Sequence, residues 1–345
     1  MNFLKTNFLG LLVCLTIAVP SYFLGKLIPI IGGPVFAILI GMFVCLIWKD
    51  QGKASAGIKF TSKKILQYAV ILLGFGLNLN VVLKTGAQSL PIIVTTIATS
   101  LIVSYLICRF MKLPTKMCTL IGVGSSICGG SAIAATAPVI NANDEEVAQA
   151  ISVVFFFNVL AALIFPSLGD YLGMTHDGEA FGIFAGTAVN DTSSVTAAAS
   201  TWDSMFSLGH ETLDKAVTVK LTRTLAIIPI VLSLSFIFAR KHDLNMEQSS
   251  KKIKLFKLVP SFIIMFILAS IITTVCVYFG MDVSYFRPFK ELSIFFIVMA
   301  MAAIGLNCNL FKLIRTGAKP IFLGTCCWVG ITVVCLLLQK HLGLW

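Results

Sequence analysis

Lys220 and Arg223 stand three residues apart inside the run Val217-Thr218-Val219-Lys220-Leu221-Thr222-Arg223. On a helix that spacing puts both cations on one face. A cation at bilayer depth costs roughly 2.5–3.5 kcal/mol even on insertion scales, so the pair predicts a polar cavity. Snorkelling toward an acidic loop is the alternative. Asp191 is the one carboxylate deep in an apolar segment. Three roles are open to it: counter-ion for Lys220 or Arg223, proton carrier, or cation ligand.

Two stretches of small residues accompany these charges. Gly124-Ser125-Ser126-Ile127-Cys128-Gly129-Gly130-Ser131-Ala132 lines up with Gly186-Thr187-Ala188-Val189-Asn190-Asp191-Thr192-Ser193-Ser194. A helix broken at such a place exposes backbone N–H groups, and each N-terminus carries roughly half a positive charge. Two facing breaks would form an anion cradle, with Ser and Thr hydroxyls as adjustable donors. Tight helix packing is the bland alternative. Cys128 reads as a small residue at a packed break before it reads as a reactive thiol.

A third motif occurs twice. Gly76-Leu77-Asn78-Leu79-Asn80 returns as Gly305-Leu306-Asn307-Cys308-Asn309, and each copy is followed by a basic residue and Thr-Gly-Ala. Single asparagines cap helices. Four in matched positions point to a site lined by Asn78 and Asn307. Repeats of this kind build secondary transporters, whose substrate lies at the repeat interface.

The elements that must position these groups are membrane helices. The chain has 345 residues, of which 57% are hydrophobic and 12% charged, and its mean hydropathy is +0.95. Apolar spans are expected near 8–24, 29–48, 66–83, 90–108, 147–168, 217–239, 258–279, 292–310 and 320–339, each sized for a hydrocarbon core of roughly 30 Å. The fold class is therefore an all-α polytopic membrane protein, a single domain with about nine full spans and two interrupted segments at 118–140 and 182–200. Basic loops at 49–64, 109–116, 240–257 and 312–319 should be cytoplasmic, leaving the amino terminus inside and the carboxyl terminus outside. The two interrupted segments are inverted copies if each re-enters from its own face. The first repeat then covers about 29–168 and the second about 182–345.

The net charge of +11 sits in short loops with no aromatic-basic face, which excludes nucleic acid as a partner. Ten cysteines form no CxxC pair, so neither a disulfide framework nor a metal site is expected. There is no HExxH, GxSxG or phosphate-binding loop, and an enzyme with catalytic residues or a cofactor is not expected.

At these motifs the sequence resembles the YeiH-type sulfate export permeases over nearly its whole length. The resemblance rests on the Gly-Leu-Asn and Thr-Gly elements, Ser125 to Ala132, Val189 to Ser194, and Lys220-Leu221-Thr222-Arg223. More distantly the pattern is similar to the superfamily of bile-acid–sodium symporters and sodium–proton antiporters. The resemblance implies a multi-pass protein of the bacterial inner membrane that exports a small anion such as sulfate or an organosulfonate. The order of motifs departs from those distant relatives: the Gly-Leu-Asn helix precedes its small-residue segment in the first half and follows it in the second. The expected partners are the bilayer and the anion, with H+ or Na+ as coupling ion and a homodimer as one assembly. A cation–proton antiporter using Asp191 and a passive anion channel are the alternatives.

Overall fold

The computed structural model describes residues 2–28, 31–48, 50–75, 77, 79–227, 229–231, 233–234, 261–307 and 317–345. Every regular element among them is helical. In chain order they are α1 (Asn2–Leu27), α2 (Gly33–Ile47), α3 (Ser55–Phe60), α4 (Leu66–Gly74), α5 (Leu79–Met111), α6 (Thr115–Ser126), α7 (Gly130–Thr136), α8 (Asp144–Tyr171), α9 (Glu179–Ala188), α10 (Thr192–Phe206), α11 (Glu211–Thr224), α12 (Ser261–Tyr278), α13 (Arg287–Asn307) and α14 (Ala318–His341). A π-helical turn, Thr61–Ile65, joins α3 to α4. Six of the described helices are long and apolar enough to cross a membrane, and Gly33–Ile47 is a shorter apolar helix. The chain is thus a polytopic helical membrane protein.

Two expected boundaries are corrected. Spans at 66–83 and 90–108 would leave a loop around Lys84-Thr85-Gly86. Instead α4 stops at Gly74, and α5 runs unbroken for 33 residues through Pro91. The polar stretch is helical because its polar groups meet protein. Gly86 abuts Thr222, Thr85 is buried, and Gln88 Nε2 donates to Glu179 Oε1 at 3.2 Å. The span expected at 217–239 is likewise interrupted: α11 ends at Thr224, and a turn at Leu225 and Ala226 follows.

The helices sort into two bodies. In the first, α2 lies along α13, α1 packs on α2 and α3, and α4 packs on α12 and α13. Glycines set the closest approach: a Cβ on Gly41 would lie 3.0 Å from the Cα of Gly305 and 2.6 Å from the carbonyl of Ala302. In the second, α5 packs on α6 and α14, α8 on α6 and α10, and α9 on α11. Ser100 and Ser104 on α5 donate to the carbonyls of Gly122 and Cys118 on α6, which ties these two helices together through their backbones.

Both interrupted segments fold back on themselves. In the first, Ile133 on α7 lies over Gly124 on α6, and Lys116 at the start of α6 donates to the carbonyl of Asn141, just beyond α7, at 2.7 Å. In the second, Trp202 near the end of α10 stacks on Phe181 near the start of α9, with ring centroids 4.2 Å apart. The 28-residue α8, capped by Asn143 and Glu146, joins the two hairpins and is about 42 Å long at ~1.5 Å per residue. The hairpins therefore start from opposite ends of α8. Their tips meet at its middle: Asn158 Oδ1 accepts from the amide of Asn190 at 3.1 Å, and a Cβ on Gly129 would lie 3.4 Å from Asn158 Nδ2.

Candidate functional site

Each hairpin tip is a short stretch of non-helical backbone. Ile127, Cys128 and Gly129 interrupt α6 and α7, with Gly129 at φ 65°, a left-handed conformation that suits glycine. Val189, Asn190 and Asp191 interrupt α9 and α10 in extended backbone. Each break leaves a helix C-terminus with unsatisfied carbonyls and a helix N-terminus with unsatisfied N–H groups.

The carbonyl ends are met by α11. Lys220 Nζ donates to Ile127 O at 2.6 Å and Val189 O at 3.0 Å. Arg223 donates from Nε to Ser126 O at 2.8 Å, from Nη2 to Ser125 O at 3.0 Å, and from Nη1 to Thr187 O and Val189 O. Both side chains are fully buried. Parallel packing of α11 on α9 fixes this register, because Gly182 and Gly186 admit Lys215 and Val219 in succession. Two helix C-termini, each worth roughly half a negative charge, are thus held together by two cations. Neither snorkelling nor exposure to a cavity describes these residues.

The amino ends face a cavity of about 280 Å³. Its floor is Gly130 and Ser131 at the start of α7, Asp191, Thr192 and Ser193 at the start of α10, and Asn158. Its other wall comes from the first body: Ser62, Lys63 and Gln67 around the π-helical turn, with Phe262 and Ile304. Asp191 holds the N-cap position of α10, and its Oδ2 accepts from the Ser193 hydroxyl. The cavity lies in the seam between the bodies. Toward the other end of α13 the seam is closed, with Lys290 paired to Asp214 on α11 and Gly32 against Thr201 on α10.

Of the residues expected to bind substrate, Gly130, Ser131, Asp191, Thr192 and Ser193 line this cavity. Ser125, Ser126, Cys128, Gly129, Asn190 and Ser194 belong to the tips but not to its lining, and Lys220 and Arg223 are turned to carbonyls behind it. Asn307 is exposed at the end of α13, and Asn78 and Asn309 lie outside the described residues. Lys63, Gln67 and Asn158 were not anticipated. Asn158, an amide midway along an apolar run, carried a usable signal; Lys63 was hidden among loop cations.

A family model described as conserved hypothetical protein 698 matches residues 9–324. The chain is 57% identical to a UPF0324 membrane protein of Fusobacterium nucleatum, over 97% of this chain and 98% of that one. It is 59% identical to a UPF0324 membrane protein of Streptococcus pyogenes serotype M18, over 97% of each. It is 55% identical to one of Streptococcus agalactiae serotype V, over 99% of each. The chain belongs to the UPF0324 membrane protein family. What this adds to the geometry is a membrane setting shared by its relatives over their full length, so both hairpins and the cations behind them fall inside the matched region.

Proposed function

We propose that the protein is a secondary transporter of a small anion, of the sulfate or organosulfonate class, in a bacterial inner membrane. The observation that carries the reading is the cavity between the two bodies, floored by two helix N-termini and walled by Lys63, with Asn158 and Gln67 as further polar groups. Helix N-termini and hydroxyls favour an anion. A volume of about 280 Å³ suits a small one, since drug-sized ligands occupy roughly 300–1,000 Å³. The resemblance to YeiH-type permeases points to the same class.

The reading takes nine full spans and two re-entrant hairpins, with 29–168 and 182–345 as inverted repeats. By the positive-inside rule the Lys63 end of the seam faces the cytoplasm and the Lys290 end faces out. Rocking of the bodies would open the Lys290–Asp214 end and close the Lys63 end, which is alternating access.

The test is uptake of radiolabelled sulfate and small alkanesulfonates by proteoliposomes. Saturable uptake is expected, abolished by Gly130→Val, which fills the cavity from a position where an added Cβ meets nothing within 4 Å. Conductance without saturation would instead mean a channel. The carboxylate on the cavity floor favours one second reading, cation–proton antiport. It predicts pH-dependent sodium exchange that Asp191→Asn abolishes, with no anion uptake.

A further inference from the structure

We propose that Asp191 is the proton site of this transporter, and that proton and anion occupy the cavity together because the ionised carboxylate excludes the anion. The inference rests on the anion reading above and names its coupling ion. Asp191 shares the cavity floor with Ser131, Thr192 and Ser193, the donors that would hold an anion. None of the four ion pairs among the described residues includes it. The groups that donate to its carboxylate are neutral: the Ser193 hydroxyl and the backbone amides of Thr192 and Ser193. Lys220, a buried cation behind it, is committed to Ile127 O and Val189 O.

A carboxylate and an anion cannot share so small a chamber without one being neutralised. The proton adds to a carboxylate oxygen of Asp191, and it leaves that oxygen when the site opens to the other side. No other bond changes. The other titratable or charged groups around Asp191 are few. Lys63 lines the same cavity from the π-helical turn, the Cys128 thiol stands near it in the first hairpin, and Lys220 and Arg223 lie behind it on α11. Asn158 of α8, Gln67 of α4, Phe262 of α12 and Ile304 of α13 complete the surround and do not titrate.

Linkage then makes binding reciprocal: protonation tightens the anion, and the anion raises proton affinity. Because both bind one state and leave together, an inward proton gradient drives anion accumulation. Export would then follow only the anion's own gradient.

The experiment measures sulfate binding to the purified full-length protein across a pH series, then uptake under an imposed pH gradient. Wild type should lose affinity close to tenfold per pH unit on the alkaline limb. Asp191→Asn should bind with the tight, low-pH affinity at every pH, and should equilibrate sulfate without concentrating it. Asparagine suits the same N-cap position, so α10 keeps its start. Lys63→Gln and Cys128→Ala should keep the slope. Independently of any variant, sulfate entry into weakly buffered wild-type vesicles should alkalinise the medium. Flat wild-type binding across pH, a slope that survives in Asp191→Asn, or sulfate entry without proton movement overturns the coupling alone. No binding of sulfate or alkanesulfonates at any pH overturns the anion reading beneath it.

Discussion

The two hairpins solve one problem with different chemistry. Each brings a helix C-terminus and a helix N-terminus to the middle of the molecule, where the C-terminal carbonyls are enclosed by protein and the N-termini face the cavity. The C-termini are treated alike: Lys220 reaches both through Ile127 and Val189, and Arg223 reaches both through Ser126 and Thr187. The N-termini are not. In the first hairpin a glycine at φ 65° turns the chain, and the seven-residue α7 opens with Gly130 and Ser131, uncharged. In the second an extended turn carries a carboxylate onto a 15-residue helix. The symmetric end therefore holds the two hairpins together, and the asymmetric end gives the cavity its single negative charge.

The hardest way to break the likeness is to remove the shared clamp. Arg223→Ala strips buried carbonyls in both hairpins of their donors. Each carbonyl left unsatisfied costs about 1–3 kcal/mol, so a loss on the order of 4 kcal/mol is expected. It should appear as a large drop in thermal midpoint in detergent without any ligand. Arg223→Lys should recover part of it, since an ammonium cannot span four acceptors. A variant of normal stability that lost only anion affinity would return Arg223 to the site lining.

This division of labour was only half legible in the sequence. The aligned stretches around Ser126 and Thr192 disclosed two interrupted segments, because small residues and a lone aspartate are out of place in a membrane span. The pairing of Lys220 and Arg223 with those segments was legible from their burial cost. What they pair with was not, because backbone carbonyls leave no mark in a residue string. Burial cost alone predicts a polar cavity beside Lys220 and Arg223, whereas both side chains donate to backbone carbonyls. Lys63 failed for the opposite reason: surrounded by Lys59 and Lys64, it looked like ordinary loop charge. Lys84 to Gln88 misled in a third way, since a polar stretch facing Glu179, Lys215 and Thr222 is helical while reading as a loop.

The turn of the first hairpin offers a sharper contrast between neighbours. Gly129→Ala forces a side chain into a left-handed conformation, with the added Cβ in ordinary contact 3.4 Å from Asn158 Nδ2. About 1–3 kcal/mol of destabilisation follows. Gly130→Ala meets nothing within 4 Å and should change stability by less than about 0.5 kcal/mol, while narrowing the cavity. Equal effects at the two positions would deny that the tip is built as described.

Next in size is the closed end of the seam. Lys290 and Asp214 form a mostly buried pair, 17% and 14% exposed, between α13 of one body and α11 of the other. Lys290→Met together with Asp214→Asn should free the second hairpin's side of the seam without touching the first hairpin. Thr201→Cys, buried against Gly32, should then react about tenfold faster with a membrane-impermeant thiol reagent, equivalent to roughly 1.4 kcal/mol of population shift. A matching cysteine at Ser125 should not change. Equal gains at both would mean general loosening rather than opening at one end.

The smallest effect separates the feet of the hairpins. At the start of α9, Glu179 pairs with Lys215, which also donates to Gln88. The Lys215 hydrogen bond holds the Glu179 carboxyl below its ordinary value near 4.5. A depressed folded value means the contribution is complete above about pH 4.5 and fades as pH falls through the lower, folded value. With Glu179 half exposed, solvent screening keeps it to a few tenths of a kcal/mol. The first hairpin's foot is closed instead by Lys116 on the Asn141 carbonyl, an acceptor that does not titrate. Protection against hydrogen exchange, taken relative to the intrinsic rate at each pH, should therefore fall below pH 4.5 at the start of α9 and not at the start of α6, and Glu179→Gln should abolish the difference. Equal acid sensitivity at both feet would show that the hairpins are anchored by the same kind of contact, and the asymmetry would then be confined to their tips.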